Sequence, residues 1–281
     1  MNPPRTVAEA LAAARALGVE RLDAHLLLSH LLARPRSWLL AHGEDPLPAA
    51  SAEAFAALLQ RRAAGEPLAY LVGEREFHGL ALRVTPAVLV PRPDTETLVD
   101  WALELLPHGS VSPSEPARRV IDLGTGSGAI ALAIQHRRPH AEVQAVDVSE
   151  AALAVAQDNA RRLALDVTFQ RSDWWSALKG QRFHLAVSNP PYIAQDDPHL
   201  AALTHEPLSA LTPGGNGLLA LEQLIQPAAE YLLPGGWLLL EHGHDQGSAV
   251  RERLLAAGFL DVSTRRDIES RERCSGGRRP G

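Results

Sequence analysis

Asn189-Pro190-Pro191-Tyr192 closes a hydrophobic run, Phe183-His184-Leu185-Ala186-Val187-Ser188, that reads as a β-strand. Neither proline has an N–H to give, so the strand's ladder stops there. Each proline also holds the residue before it in extended backbone. The expected product is a stiff turn at the strand's carboxyl end, with the Asn189 side-chain oxygen and nearby main-chain carbonyls aimed at one point. Converging acceptors of this kind suit a planar NH2 group, which has two N–H donors to place and a lone pair to present. An aromatic ring beside them can hold the flat group that carries it. The plain structural alternative is an Asx-type turn ahead of a Pro-Pro loop.

A second station lies upstream, where the apolar run Val120-Ile121-Asp122-Leu123 ends in Gly124-Thr125-Gly126-Ser127-Gly128 and a helical pattern follows. The spacing G-x-G-x-G differs from the dinucleotide fingerprint and from the phosphate loop, and no lysine follows to meet a triphosphate. Glycines here let the backbone turn sharply and approach a ligand closely. About 19 residues on, the strand pattern Val143-Gln144-Ala145-Val146 ends in Asp147, an acid placed to accept both hydroxyls of a ribose. Its structural alternative is an N-cap for the helix that begins near Ser149. After a third strand pattern, Val167-Thr168-Phe169-Gln170, comes Ser172-Asp173-Trp174-Trp175. Asp173 can accept from an adenine amino group and Trp174 can cover its ring; for Trp175, a core position under the loop is as good a reading as a ligand contact.

Stations that follow successive strands imply an α/β fold, a doubly wound sheet whose carboxyl edge lines a crevice. The spacing predicts parallel strands near 119–123, 142–147, 166–171, 183–188 and 236–241. Phe259–Thr264 and a stretch near Arg273 predict a closing antiparallel pair. Ahead of the sheet, residues 1–64 are rich in Ala and Leu at helical spacing, broken at Gly18, Pro35 and Pro46-Leu47-Pro48, and predict a small helical bundle. Residues 65–93 read as a linker from Gly65-Glu66-Pro67 plus a β-hairpin within Phe77–Val90, and 94–281 as the large domain, opening on a helix over Thr95–Leu106. Pro107–Ser114 reads as a flexible surface loop. Ile193–Gly217 is long for a compact domain, and such loops often form lids or substrate walls.

Composition agrees. The chain has 281 residues, 46% of them hydrophobic, enough for one large α/β domain and a small accessory one. No apolar stretch reaches the roughly 18–20 residues of a membrane span, and no signal-peptide pattern opens the sequence. A single cysteine, Cys274, excludes internal disulfides and predicts a reducing, cytoplasmic setting. The formal charge of −6 does not favour nonspecific nucleic-acid binding. Lys179 is the only lysine among 27 basic residues, so arginine usage follows genome composition and Arg-Arg pairs are weak evidence for a phosphate site. Neither H-E-x-x-H nor C-x-x-C occurs, and no metal is expected; His242 and His244, flanking Gly243 at a strand end, are expected to face solvent.

Taken together, D-x-G-x-G-x-G, Asp147, Asp173-Trp174 and Asn189-Pro190-Pro191-Tyr192 resemble the class I S-adenosylmethionine-dependent methyltransferases that modify amide or exocyclic nitrogens. Pro91-Arg92-Pro93-Asp94-Thr95-Glu96, Glu206-Pro207 before Ala210-Leu211, and Tyr231-Leu232-x-Pro234-Gly235-Gly236 are similar to the peptide chain release factor glutamine methyltransferase (HemK) family. The likeness runs from about Val7 to Gly277. It implies a Rossmann-like fold, S-adenosylmethionine bound by Gly124, Thr125, Gly126, Ser127, Gly128, Asp147, Asp173, Trp174 and Asn189, and catalysis by Asn189, Pro190, Pro191 and Tyr192. It further implies methylation of the glutamine in the Gly-Gly-Gln loop of class 1 release factors, with the N-terminal helices as a docking domain for that partner and the enzyme a monomer. Two positions depart from the pattern: Ser270 replaces a usual glycine, and Asn216 the acid expected before Gly217-Leu218.

Three alternatives stay open on sequence alone. A sibling that methylates a ribosomal-protein glutamine fits the chemistry, although the Pro91–Glu96 motif argues against it. An adenine-amino methyltransferase acting on DNA or RNA is disfavoured by the acidic balance. A protein that retains the cofactor and only binds release factor would be excluded by turnover.

Overall fold

The structure is a computed structural model that describes residues 4–107 and 117–281; the surface loop expected over Pro107–Ser114 lies outside them from residue 108. The chain divides into two compact units, Met1–Glu74 and Arg75–Gly281. Among the described residues no helix is long and apolar enough to cross a membrane.

The first unit is helical: α1 (Val7–Ala16), α2 (Arg21–Leu32), α3 (Arg36–Ala41), α4 (Ala49–Ala63) and α5 (Leu68–Val72). Thr6 caps α1 by accepting the Glu9 N–H, and the α2 chain turns out through Ala33 in the left-handed region. Val7, Ala10 and Ala14 of α1, Leu27 and Leu28 of α2, Leu39 of α3 and Phe55 and Leu59 of α4 form its core. Gly65-Glu66-Pro67, the expected start of a linker, leads instead into α5, because Pro67 N-caps it and Leu71 reaches the same core.

A two-stranded hairpin follows, β1 (Glu74–Phe77) and β2 (Leu80–Arg83), which but for Glu74 belongs to the second unit. His78 and Gly79 between them both have positive φ, as a tight two-residue hairpin turn requires. The hairpin thus lies earlier than the expected 77–90, and Pro86 and Pro91 account for the irregular chain that follows. A 3-10 turn at Pro93–Thr95 precedes α6 (Glu96–Leu105).

Then come β3 (Arg119–Leu123), α7 (Ala129–Arg137), β4 (Glu142–Asp147), α8 (Glu150–Leu163), β5 (Val167–Arg171), β6 (Phe183–Ser188), α9 (Leu219–Ile225), α10 (Ala228–Tyr231), β7 (Leu232–Glu241), α11 (Gly247–Ala256), β8 (Leu260–Arg266) and β9 (Glu272–Arg278). The seven strands lie in the order β5-β4-β3-β6-β7-β9-β8. β5, β4, β3, β6 and β7 run parallel, and β9 returns antiparallel to both β7 and β8. The expected doubly wound sheet with a closing antiparallel pair is therefore present. β7 begins at Leu232, ahead of the expected 236, because its ladder with β6 shifts register between Leu232 and Trp237 and so includes Pro234-Gly235-Gly236. Two apolar layers cover the sheet: one includes Leu98, Trp101, Leu132 and Ile134, the other Ile121, Leu221, Leu224 and Val250.

After β3 the chain builds β4 and β5 to one side, then crosses back to lay β6 on the other. A crevice at the carboxyl ends of β3 and β6 is the consequence of that reversal, and the glycine loop and Asn189 flank it.

Candidate functional site

The carboxyl ends of β3, β4, β5 and β6 surround a cleft of about 470 Å³ lined by Gly124, Thr125, Gly126, Ser127, Asp147, Asp173, Trp174, Asn189 and Pro191. That volume lies within the range of small-molecule pockets. Thr95 and Pro91 add to one wall, and Pro207, Ser209, Ala210 and Pro213 to another. The Ile193–Gly217 segment is thus a wall of the cleft, held by hydrogen bonds from Ile193 N to Leu211 O and from Gln195 N to Gly215 O.

The glycine loop takes its shape from hydrogen bonds on both sides. The N–H groups of Gly124 and Thr125 donate to Val146 O, and Asn159 of α8 donates through Nδ2 to both Ser127 O and Arg83 O. Gly124 has a φ of +77°, and a β-carbon there would stand 3.0 Å from Trp174 Cζ3, so only glycine lets that ring lie against the loop. Gly128, with a φ of +85°, begins α7; a β-carbon would come within 2.9 Å of Leu132 Cδ1 and 3.2 Å of the Ala156 β-carbon.

Asp147 is half-buried at the end of β4. Its Oδ2 accepts from Gly126 N at 2.9 Å and its Oδ1 from Ser149 N at 2.9 Å, while Ser149 itself caps α8 by accepting from Ala152 N. Asp147 therefore steadies the glycine loop as well as the start of the helix, and each oxygen keeps lone-pair capacity for a ligand hydroxyl. Burial raises its pKa against the opposing effect of these N–H donors.

Trp174 and Trp175 part company. Trp174 sits in the left-handed region, lines the cleft, and donates from Nε1 to Gln223 Oε1 at 3.1 Å. Trp175 is a core residue: it stacks on Tyr231 at 4.8 Å between ring centroids and donates to Leu224 O. Asp173 is exposed at the cleft.

In the Asn189–Tyr192 turn, Asn189 and Pro191 face the cleft, whereas Pro190 and Tyr192, like Gly128, are not among its lining residues. Asn189 Nδ2 donates to Thr95 Oγ1 at 3.2 Å. The Tyr192 ring packs against the core, and its hydroxyl donates to Glu241 Oε1 at 3.2 Å.

Several of the polar groups that shape this site carried no assigned role in the sequence. Arg92 and Glu206 form an ion pair, and the buried Glu206 also accepts from Val90 N at 2.9 Å. Asp94 pairs with Arg273 at 3.2 Å, and Arg273 with Asp267 at 3.2 Å. The Pro91–Glu96 stretch is thereby tied to the long wall and to β9. His242, expected to face solvent, is fully buried: its Nδ1 lies 2.8 Å from Gly243 O and its Nε2 2.8 Å from Ser275 Oγ. Burial lowers its pKa; His244 is exposed. The two departures also have local accounts. Asn216 Oδ1 accepts from Leu218 N, the acceptor role an acid would fill. Ser270 holds a φ of +65°, a conformation in which glycine is unstrained.

Asp122, the acid of the D-x-G-x-G-x-G motif, lies beneath the glycine loop. It is fully buried, accepts through Oδ2 from Thr125 Oγ1 at 2.6 Å and from Ala131 N at 3.3 Å, and has no partner for Oδ1 among the described residues. Burial, with a contribution from Asp147, pushes its pKa from 3.8 up to about 7. Between those values the folded chain binds more proton than the unfolded one. The group's stabilising contribution is thus complete below about pH 4 and lost as pH rises through about 7. Asp122→Asn, which cannot ionise, should flatten the fall in stability between pH 4 and 7.5, by on the order of a few kcal/mol. Urea unfolding across that range checks this; identical pH profiles for the two proteins would mean that Asp122 stays ionised.

Two regions of the chain match known families: residues 5–73 the PrmC N-terminal domain and residues 97–256 the methyltransferase small domain. A release factor glutamine methyltransferase of Xylella fastidiosa is 53% identical over 266 residues, 94% of each chain. One of Burkholderia pseudomallei is 51% identical over 288 residues, 99% of this chain and 98% of that one. The Escherichia coli enzyme of that name is 46% identical over 273 residues, 96% of each. Among solved structures, a T. thermophilus 16S rRNA N2 G1207 methyltransferase in complex with AdoMet and guanosine is 21% identical, with a TM-score of 0.54 over 73% of this chain and 49% of that one. A Pyrococcus furiosus methyltransferase has the same TM-score at 19% identity, covering 72% and 90%; at these identities the two share the fold. Identity of about one half, spread over both units from end to end, is of another order, and on that ground the chain belongs to the release factor glutamine methyltransferases, a family of S-adenosylmethionine-dependent enzymes.

Proposed function

We propose that this chain methylates the side-chain amide nitrogen of the glutamine in the Gly-Gly-Gln motif of class 1 release factors, with S-adenosylmethionine as methyl donor. The observation that carries the reading is the state of the Asn189 amide. Its nitrogen is engaged by Thr95, and its Oδ1 has no hydrogen-bond partner among the described residues, at the edge of a cleft that suits a nucleoside.

In this reading Asp147 accepts the ribose hydroxyls, Trp174 covers the adenine, Asp173 accepts from its amino group, and the backbone of Gly124–Gly128 takes the rest of the cofactor. The space over Gly124, which a β-carbon would fill, and the two Asp147 oxygens with lone-pair capacity at the cleft fit such a ligand. When bound, S-adenosylmethionine supplies an electrophilic methyl group on a sulfonium.

The remaining problem belongs to the protein. A carboxamide nitrogen is a poor nucleophile because its lone pair is delocalised into the carbonyl. Asn189 Oδ1 and the Pro190 carbonyl would each accept one N–H of the substrate amide, which fixes the nitrogen with its lone pair turned outward. Alignment of this kind is worth several kcal/mol, up to about 7–11 in the best intramolecular cases. Acceptors that tighten as the nitrogen becomes positive add electrostatic stabilisation. The proton can leave after transfer, when the nitrogen is acidic.

A nucleic-acid substrate is less well supported. The charged residues lining the cleft are Asp147, Asp173 and Arg92, and Arg92 is already paired with Glu206. Phosphate neutralisation needs basic groups to spare.

The test is to incubate the protein with methyl-labelled S-adenosylmethionine and an intact class 1 release factor, then map the label by mass spectrometry. One methyl group on the Gly-Gly-Gln glutamine is expected; label on ribosomal protein or nucleic acid instead would overturn the assignment. If residues 1–64 dock the factor away from the reacting centre, a short Gly-Gly-Gln peptide lacks that remote binding energy. Its kcat/KM should then be lower than that of the intact factor by about tenfold or more. Equal efficiency on the two would remove the docking role.

A further inference from the structure

Among the described residues, Arg92 is the only cation that lines the cleft. Its guanidinium is anchored from behind. Nη2 donates to Glu206 Oε2, and the other oxygen of that carboxylate accepts from Val90 N at 2.9 Å. Glu206 therefore bonds to the chain on both sides of Pro91, itself a lining residue. The Glu206 side chain is 2% exposed and that of Arg92 39%, so the pair is closed at its acidic end and open at its basic one. Nε and Nη1 of Arg92 have no hydrogen-bond partner among the described residues. The same residue starts the turn that holds Asn189: Thr95 N donates to Arg92 O at 3.1 Å, and Thr95 Oγ1 accepts from Asn189 Nδ2 at 3.2 Å. One short turn thus places both the guanidinium and the partner of the Asn189 amide.

What this guanidinium can meet follows from its pairing and from the substrate. Glu206 offsets the charge, which weakens the attraction for an anion and leaves several N–H donors in a rigid fork. Such donors suit neutral oxygen acceptors. A Gly-Gly-Gln segment offers few handles, because its two glycines have no side chains and present only backbone N–H and carbonyl groups. Two kinds of carbonyl exist in it. A donor on the side-chain carbonyl of the reacting amide would draw density toward oxygen and deepen the delocalisation that makes the nitrogen a poor nucleophile. The peptide carbonyls carry no such penalty.

Resting on the function proposed above, we propose that Arg92 is a substrate-binding residue that donates to the peptide carbonyls of the Gly-Gly-Gln segment, and that Glu206 is the positioning residue that aims it.

The role is in binding and not in the chemical step. Contacts to carbonyls that do not react hold the ground state and the transition state alike, so their loss raises KM and leaves the saturated rate in place. The fork also matters. A lysine keeps the charge but lacks the fixed, planar donors that can hold Glu206 and a substrate carbonyl together.

Four proteins test this: the parent, Arg92→Ala, Arg92→Lys and Glu206→Gln. In single-turnover reactions on intact release factor, Arg92→Ala should raise the factor concentration for half-maximal rate about 10–100-fold. The saturated rate and cofactor Kd should change less than about threefold. Arg92→Lys should recover only part of the loss. Glu206→Gln keeps an oxygen for Val90 N but no charge for Arg92, and should fall between the parent and Arg92→Ala. A second readout needs no substrate: hydrogen exchange at the Val90 N–H should be as slow in Arg92→Ala as in the parent, because Glu206 still accepts from it.

Half-saturation in Arg92→Ala within twofold of the parent's would overturn the inference. A loss confined to the saturated rate would also overturn it, by putting Arg92 at the reacting amide. So would fast Val90 exchange in Arg92→Ala together with full recovery in Arg92→Lys, which would make the pair a latch for the wall and nothing more. A parent that leaves release factor unmethylated would overturn the substrate assignment and this inference with it; a parent that methylates the factor as well as Arg92→Ala does, at every factor concentration, would overturn this inference alone.

Discussion

Asn189→Ala should lower the rate of methyl transfer to intact release factor by about 10²–10³, the usual scale for losing one preorganised hydrogen bond to a transition state. The fold should survive. Among the described residues the Asn189 side chain makes one hydrogen bond, to Thr95, and the backbone of the turn is fixed independently by its two prolines. Cofactor affinity should change little, because in the proposed reading the carboxamide serves mainly the substrate. Asn189→Asp is the more discriminating variant. It keeps an acceptor in place, so partial activity is expected if acceptance is what matters. It also sets a second carboxylate close to Thr95 and Glu241, where like charges raise one another's pKa, so its pH profile and cofactor affinity have to be measured alongside. Near-normal single-turnover rates in Asn189→Ala would mean that the turn is structural only.

What the sequence revealed of this arrangement was whatever depends on local patterning. Apolar runs that end in glycine, acid or Asn-Pro mark strands and the loops at their carboxyl ends, and β3, β4, β5 and β6 lie within a residue of the expected positions. Recurrent strand–loop–helix spacing also implied the sheet's winding, because few ways exist to connect parallel strands. Less legible were contacts made between strand ends, which depend on strand order and not on any period. Glu241 reads in sequence as the polar end of a buried strand; only the adjacency of β6 and β7 brings it behind Asn189. Glu206 and Arg92 meet because the long wall folds back over the Pro91–Glu96 stretch. The two adjacent tryptophans are similar in composition and opposite in fate, and the positive φ of Trp174 that separates them leaves no mark in an apolar pattern. His242 misled for a related reason: a histidine next to glycine at a strand end resembles a loop residue until β9 supplies Ser275 as its partner.

Asp147→Ala should weaken S-adenosylmethionine and its demethylated product at least tenfold. Two charge-assisted hydrogen bonds to ribose hydroxyls are worth roughly 1.5–3 kcal/mol each at most, and each 1.4 kcal/mol lost is about a factor of ten in Kd. The structure adds a reason for the loss to exceed the ligand contacts themselves. Asp147 also holds the N–H of Gly126 at 2.9 Å, so its removal frees the loop that, in the proposed reading, meets the cofactor. Asp147→Asn separates the two effects. It retains an oxygen that can keep either the loop N–H or one ribose hydroxyl, and its affinity should fall between those of the parent and the alanine variant. Thermal unfolding of all three proteins without ligand then reports what Asp147 contributes to the loop and the start of α8, while calorimetry reports its effect on ligand affinity. Should calorimetry return the parent's affinity for Asp147→Ala, the ribose does not sit at the end of β4, and Asp147 is there only to brace Gly126 and the first turn of α8.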